Sequence, residues 1–339
     1  MLYSKKRGII VANKKVTLTH IAKALGLSPV SVSRALADQG GISEDMKAKI
    51  VEKAAEMGYI RPRKAAPPKI LVLHQKPYQH DNSNFSYKVQ GIEKALQQAD
   101  TDYSIEFVDK EHQSRLALPY RLSKGYRFDG VIFIGRFNSD YISFIHKQIP
   151  ALILYVGYSP AYDYDSVWFS FLHAGYKQCQ YLIDRGHRSI GFVGNLSAYR
   201  NKEKKTGITS ALEEHGLPAG GAIFWERDDA LGSRLSGLIA GGGLPTAFIC
   251  EHDFAAIELI RLLQERGIKV PEDVSILSSG NTEISALSTP PLTTMDLSIG
   301  YSCQRVVATL LSRIADPQKP AENIAVLSTF VERESVRSI

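Results

Sequence analysis

The residues that point most directly to a chemical role lie in one short stretch near the N terminus. Ser28 and Pro29 can begin a helix, the first as its N-cap and the second at the first helical position. Val32 and Leu36 then give this helix an apolar side. The opposite face is small or basic and carries Val30, Ser31, Ser33 and Arg34. A short helix with such a face can enter the DNA major groove, where arginine pairs with guanine.

Two further helices would have to hold this one in place. Thr17 can cap a preceding helix, and Gly26 lies where that helix must stop and the backbone must reverse. Ser43 can cap a third helix, which we expect to end at Gly58. Small helices that share an apolar face can also be ordinary core, so the pattern by itself leaves DNA binding and simple packing both open.

The charge of the chain is unevenly distributed. The net charge is +6, but the first 69 of the 339 residues hold 14 Lys or Arg against 5 Asp or Glu, whereas the remaining 270 hold 27 against 30. A basic segment on a mildly acidic body indicates that this segment binds a polyanion such as nucleic acid. Three cysteines far apart in sequence fit a reducing, cytoplasmic location. No apolar run approaches the roughly 18 residues of a membrane span, so we expect no membrane partner.

Two sequence runs in the basic segment form a specific pattern, VTLxxIAxxLGLSxxSVSRAL over residues 16–36 and GYIxP over residues 58–62. This pattern resembles the DNA-binding headpiece of the LacI/GalR family of bacterial transcription regulators. The resemblance implies a helix-turn-helix unit whose second helix reads double-stranded operator DNA. Arg34 would pair with guanine, and Pro29 and Val30 would contact thymine methyl groups. The implied DNA-binding residues are Thr17, Ser28, Pro29, Val30, Ser31, Ser33, Arg34, Arg61 and Arg63.

The linker departs from the pattern of that family. Residues 61–68 read RPRKAAPP, which is shorter than the usual hinge helix and has no leucine to insert into the minor groove. Pro67 and Pro68 also prevent a helix from continuing. Arg61 and Arg63 could contact the DNA backbone or minor groove, or the segment could be a plain spacer. Residues 1–15 are expected to be a flexible basic arm that touches phosphates. The alternative is that natural translation begins at Val11.

From residue 69 onward, short apolar runs alternate with helical segments, which predicts parallel sheets covered on both faces. The runs GHRSIGFVG over 186–194 and GIKVPEDVSI over 267–276 resemble the two-lobed periplasmic-binding-protein-like core of the same family. The fold class expected is therefore α/β, with an all-α headpiece and a two-lobed core. The expected domains are a headpiece over 1–60, a linker over 61–68 and a core over 69–339. The N-lobe would span about 69–158 and 288–320, and the C-lobe about 159–287 and 321–339.

The resemblance places a small-molecule effector, a sugar or sugar derivative, between the two lobes. The implied effector-binding residues are Phe85, Arg136, Phe169, Arg200, Lys204, Arg227 and Gly280. Lys204 stands where relatives often have arginine, and Phe169 and Gly280 replace common acidic residues. Fewer acids and more bases favour an anionic effector as a hypothesis. Side chains that point to solvent, or a cleft that binds nothing, remain the alternatives.

No catalytic, cofactor or metal signature accompanies these features. The sequence has no G-x-S-x-G, no phosphate-binding glycine loop and no H-E-x-x-H. Glu251-His-Asp253 could be taken for metal ligands, but a polar turn after a strand is the preferred interpretation. We therefore expect a dimeric repressor of carbohydrate-utilisation genes on a near-palindromic operator, with no enzyme activity. A solute-binding protein and an enzyme on the same core are the competing hypotheses.

Overall fold

The computed structural model describes residues 16–37, 40–59, 66–75, 85–157, 159, 161–218 and 222–339. The predicted arm over 1–15 and the predicted DNA contacts Arg61 and Arg63 lie outside these ranges. The chain divides into two compact units, Met1–Ala66 and Pro67–Ile339. The division falls within the predicted linker.

The described residues of the first unit form three helices, α1 (Leu18–Leu25), α2 (Pro29–Leu36) and α3 (Glu44–Glu56). The turn between α1 and α2 depends on Gly26, whose φ of 66° lies in the left-handed region that favours glycine. Ile21, Val32 and Ile50, one from each helix, are fully buried together. The predicted helix-turn-helix and its third helix are confirmed.

The second unit is built on two six-stranded sheets. The first sheet has the order β11-β5-β4-β3-β1-β2 and all its strands are parallel. Its strands are β1 (Lys69–Gln75), β2 (Asp102–Val108), β3 (Gly130–Ile134), β4 (Leu152–Tyr155), β5 (Asp165–Phe169) and β11 (Asn323–Val326). The second sheet has the order β12-β10-β9-β8-β6-β7 and is parallel except for the pairing of β10 with β12. Its strands are β6 (Ile190–Val193), β7 (Ile223–Trp225), β8 (Ala247–Cys250), β9 (Ser275–Ser279), β10 (Thr293–Asp296) and β12 (Thr329–Val331).

Helices accompany the strands of each lobe. Those of the first lobe are α4 (Phe85–Gln98), α5 (Lys110–Ser114), α6 (Tyr120–Ser123), α7 (Ser139–His146) and α13 (Ile299–Ala315). Those of the second are α8 (Phe171–Asp184), α9 (Tyr199–Glu214), α10 (Leu231–Ala240), α11 (Asp253–Gln264) and α12 (Glu283–Leu287). Strand residues alternate between two apolar clusters, as with Ile70 and Val72 on one face of β1 and Leu71 and Leu73 on the other. The predicted α/β architecture with parallel sheets is confirmed. Within the described ranges, no helix combines the length and apolar character needed to cross a bilayer.

The lobe boundaries differ from those expected. The chain leaves the first sheet after β5, returns to it after β10 and leaves it again after β11, whereas crossings were predicted near 157, 287 and 320. The difference arises because β5 begins with a charged residue and does not look like a buried strand. Asp165 is fully buried there, and Arg313 Nε and Lys319 Nζ lie 2.8 and 3.1 Å from its carboxylate oxygens. Residues far along the chain thus make a strand that the local pattern does not reveal.

Two glycines allow α8 and α9 to pack with their backbones nearly touching. A Cβ at Gly207 would lie 2.0 Å from the backbone oxygen of Leu172, and one at Gly175 would lie 2.3 Å from that of Lys204. Because no larger residue fits at either position, the crossing point of the two helices is defined. This crossing presses the N-terminal half of α9, including Lys204, against the carboxyl end of the second sheet.

Candidate functional site

The exposed face of α2 is the first candidate site. Pro29, Ser33 and Arg34 are exposed and Val30 has 64% of its surface accessible, while Ser31 is half-buried. The face therefore presents one guanidinium, hydroxyl groups and an apolar patch from a short rigid helix. These are the group types that pair with guanine, hold phosphates and contact thymine methyls in the major groove.

Ser28 is the N-cap of α2. Its Oγ accepts a hydrogen bond from the backbone N–H of Ser31 at 3.0 Å and lies 2.9 Å from the Ser31 hydroxyl. Thr17 occupies the corresponding N-cap of α1, where its own N–H donates to Nδ1 of His20 at 3.2 Å. Thr17 and Ser28 both lie at helix N-termini, and both are exposed to solvent.

The second candidate site lies where the carboxyl ends of the two parallel sheets face each other. Arg136, just after β3 in the first lobe, places its guanidinium 4.6 Å from the ring centroid of Tyr199, the first residue of α9 in the second lobe. The Tyr199 hydroxyl donates to Oε1 of Glu203 at 2.7 Å. The cleft between the lobes is thus lined by the residues that follow strand ends, as is usual for ligand sites in such folds.

Glu251, the residue after β8, is buried at the carboxyl end of the second sheet, the end that faces the cleft. Its side chain is 1% exposed, and its Oε1 accepts from Nε of Arg227 at 3.0 Å. Its Oε2 accepts from the backbone N–H of Asn195 at 3.1 Å and from Nδ2 of Asn201 at 2.7 Å. A terminal nitrogen of Arg200 lies 3.7 Å from the same oxygen. Residues from three separate segments, the loop after β6, the start of α9 and the loop after β7, therefore converge on one buried carboxylate.

The ionisation of Glu251 follows from these partners. Burial alone would raise the pKa of Glu251, but His252, whose Nε2 lies 3.3 Å from Oε1, and the charge of Arg200 hold that pKa well below its usual range. His252 Nδ1 accepts from the backbone N–H of Ala255 at 3.1 Å, which places the proton of a neutral ring on Nε2, toward the carboxylate. These partners therefore favour the ionised form of Glu251 at the carboxyl end of the second sheet.

Lys204 is completely buried beneath this carboxylate. Its Nζ donates to the backbone oxygen of Glu251 at 2.9 Å and to Oγ of Ser279 at 2.7 Å. Burial and the nearby charge of Arg200 lower the pKa of Lys204 to about 7. The amine therefore ties the end of β8 to the end of β9 and presents no surface to the cleft.

These contacts correct the expectation of free positive charge in the cleft. Arg227 is held on one side by Glu251 and on the other by Glu258, whose Oε2 lies 3.2 Å from Nη1 of Arg227. Arg200 and Lys204 face the same Glu251. Three of the four predicted bases, Arg200, Lys204 and Arg227, thus contact Glu251. The sequence did not indicate this pairing, because these residues lie far apart in the chain.

The remaining predicted effector residues have different environments. Phe169 is 2% exposed and packs in the core of the first lobe, with its ring centroid 6.2 Å from that of Tyr155, so it offers no surface to a ligand. Gly280 has φ 135° and leaves room for Asp253, whose Oδ2 would lie 3.0 Å from a Cβ. Gly280 also lines a depression of about 230 Å³ between the lobes. The side chain of Phe85 lies outside the described residues.

Asp253 completes the Glu251-His-Asp turn as an internal anchor. Its Oδ1 accepts from the hydroxyls of Ser278 and Thr294 at 2.6 and 2.8 Å, and its Oδ2 accepts from the N–H and hydroxyl of Thr282 at 2.8 and 2.6 Å. These four bonds use both oxygens within the protein. The turn thus joins β8, β9 and β10. From the sequence, only its polar character could be predicted, not this anchoring role.

Comparisons with known proteins agree with this arrangement. A family model described as a periplasmic binding protein-like domain matches residues 179–336. The chain is 26% identical to the probable HTH-type transcriptional repressor ExuR of Bacillus subtilis, over 96% of this chain and 99% of that protein. A LacI family transcriptional regulator from Enterococcus faecium, solved with bound ribose, has 26% identity and a TM-score of 0.67 over 80% of this chain and 99% of its own. The lac repressor dimer bound to operator and the anti-inducer ONPF has a TM-score of 0.67 at 20% identity, over 96% and 100% of the two chains. In both sequence and fold, the chain is thus similar to transcriptional regulators of the LacI family.

Proposed function

We propose that the chain is a sequence-specific DNA-binding regulator, a repressor of genes for carbohydrate use, whose DNA affinity is set by a small molecule in the cleft. The observation that carries the proposal is the exposed face of α2, with Val30, Ser33 and Arg34 presented by a packed three-helix unit. The net charge of that part of the chain supports it, since sequence-independent affinity for DNA comes mainly from phosphate neutralisation.

The proposed DNA contacts divide by chemistry. Arg34 would read guanine, and Pro29 and Val30 would contact thymine methyl groups. Phosphates and sugars would be held by the hydroxyl and linker residues Thr17, Ser28, Ser31, Ser33, Arg61 and Arg63. Ser28 and Ser31 would act as a pair, because their hydroxyl oxygens lie 2.9 Å apart.

We expect a homodimer because one DNA-binding headpiece is small. One short helix covers only a half-site, and two copies related by a twofold axis would read a near-palindromic operator. The lac repressor, which has the same fold, was solved as a dimer on its operator. Operator DNA would place the protein in the cytoplasm, as the cysteine pattern also indicates.

The proposed effector is a sugar or sugar derivative. The Enterococcus faecium relative holds ribose, and the cleft residues Arg136, Arg200 and Arg227 follow strand ends or begin a helix on both sides of the corresponding opening. Coupling between the sites requires that the effector bind the DNA-competent and DNA-incompetent states with different affinities.

A gel-shift titration with the DNA upstream of the protein's own gene tests the proposal at a stated salt concentration. We expect a shift with that DNA that scrambled competitor of equal length does not remove. Effector binding without any sequence-selective shift would favour the solute-binding alternative instead.

A further inference from the structure

The carboxylate of Glu251 is bound as a small anionic ligand would be. Its two oxygens accept from an arginine Nε, a backbone N–H and an asparagine amide, at 3.0, 3.1 and 2.7 Å. Arginine and backbone N–H groups are the donors that proteins use for carboxylates and phosphates. The Glu251 carboxylate differs from such a ligand in being covalently part of the chain.

We infer that Glu251 is a specificity-determining residue that excludes anionic ligands from the cleft, because its carboxylate occupies the anion position between Arg227 and Arg200. The inference rests on the proposed function only in taking this cleft as the effector site. It names the class of ligand that the cleft rejects, which are sugar phosphates, uronates and other small carboxylates. It replaces the anionic effector expected from the sequence.

The charged residues around Glu251, on α9 and after β7, also support this inference. On α9, Arg200 lies 3.7 Å from the carboxylate and Lys204 bonds the backbone oxygen. After β7, Arg227 is shared between two acids, since its Nε donates to Glu251 and its Nη1 to Glu258. An incoming anion would therefore have to displace a carboxylate that is tethered beside its donors at a high effective concentration.

Among the described residues, Oδ1 of Asn201 is buried without a hydrogen-bond partner, and Nδ2 of the same amide donates to Glu251. An acceptor without a partner is satisfied by a hydrogen-bond donor and repelled by an anion. This atom therefore acts in the same direction as Glu251, against a negatively charged ligand.

The decisive experiment replaces the internal anion by a diffusible one. Glu251→Ala removes a CH₂–COO⁻ group, and acetate has the matching size and charge. Melting temperatures of the purified full chain are measured at pH 7 against acetate, with acetamide as the neutral analogue and sodium chloride as the ionic-strength control. Glu258→Ala is the matched control, since Glu258 also binds Arg227 but its side chain is 41% exposed to water. Glu251→Ser is run in parallel as a milder variant.

We expect acetate to stabilise Glu251→Ala and Glu251→Ser saturably, by about 3–5 °C, with no such response in the wild type or in Glu258→Ala. Saturable stabilisation of the wild type by acetate or inorganic phosphate would overturn the inference, as would no acetate response in either Glu251 variant. If neither variant folds, even with acetate present, a diffusible anion cannot replace Glu251 and the inference is wrong. No DNA is used, so failure of DNA binding cannot be mistaken for failure here.

Discussion

Nζ of Lys204 donates a 2.9 Å hydrogen bond to the backbone oxygen of Glu251, and no part of Lys204 is exposed to solvent. Burial and the charge of Arg200 lower the pKa of this amine from 10.5 to about 7. Lys204, predicted from the sequence to bind the effector, is thus an internal link between β8 and β9.

This buried amine predicts a pH dependence of stability. Between about pH 7 and 10.5 the unfolded chain binds the proton of Lys204 and the folded chain releases it. Folding stability should therefore rise with pH across that window, by up to about 1.4 kcal/mol per unit. Lys204→Met should remove this rise. Urea denaturation of both proteins from pH 7 to 10 checks it, and parallel stability profiles would show that Lys204 stays protonated.

The close contact between α8 and α9 predicts that one added methyl group, at Gly207, will lower the free energy of unfolding. Gly207→Ala would place a Cβ 2.0 Å from the backbone oxygen of Leu172, so the helices must separate. We expect a loss of about 1–3 kcal/mol in the free energy of unfolding. Gly237→Ala in α10 is the matched control, because nothing lies within 4 Å of its Cβ. That change should stabilise by about 0.5–1 kcal/mol through helix propensity. Similar effects of the two changes in thermal unfolding would argue against the close crossing.

The buried ion pair at the edge of the first sheet predicts a large loss of stability when Arg313 is removed. A second substitution at Asp165 should recover part of this loss. Arg313 donates from Nε and NH2 to Asp165, whose side chain is fully buried. Arg313→Met should cost about 3–5 kcal/mol, because it leaves a buried carboxylate without its main partner. Adding Asp165→Asn should recover part of that loss. A double-mutant cycle by chemical denaturation measures both, and additive losses would mean that the two residues do not interact.

The same ion pair predicts acid sensitivity. Burial opposes ionisation of Asp165, but hydrogen bonds from Arg313, the Glu322 backbone and Lys319 lower its pKa below the usual value. A carboxyl with a depressed pKa contributes stability that is present above the unfolded pKa of about 3.9 and is lost as the pH falls through the folded value. Acid unfolding should therefore begin at higher pH in Arg313→Met than in the wild type. Identical acid transitions would contradict this.

The headpiece could be predicted almost completely from the sequence because its determinants are local. Ser28, Pro29 and Gly26 each act within four residues of their own position, through a cap, a fixed φ and a left-handed turn. The cleft could not be predicted in the same way. Asp165 is paired with Arg313 and Glu251 with Arg227, each more than twenty residues away in the chain. The sequence does not show that a charged residue will be buried by such distant partners.

The exposed face of α2 is tested most directly by selecting DNA from a random pool with the full chain at about 150 mM salt. The wild type should enrich a site with twofold symmetry. Arg34→Ala should lose about 1–3 kcal/mol on that site and relax the preference at a guanine position. Lys53→Ala is the control, since Lys53 is paired with Glu56 at 2.8 Å on α3, and it should select the same sequence as the wild type. If the wild type enriches no sequence, or if Arg34→Ala keeps its full preference, the chain does not read DNA through this helix.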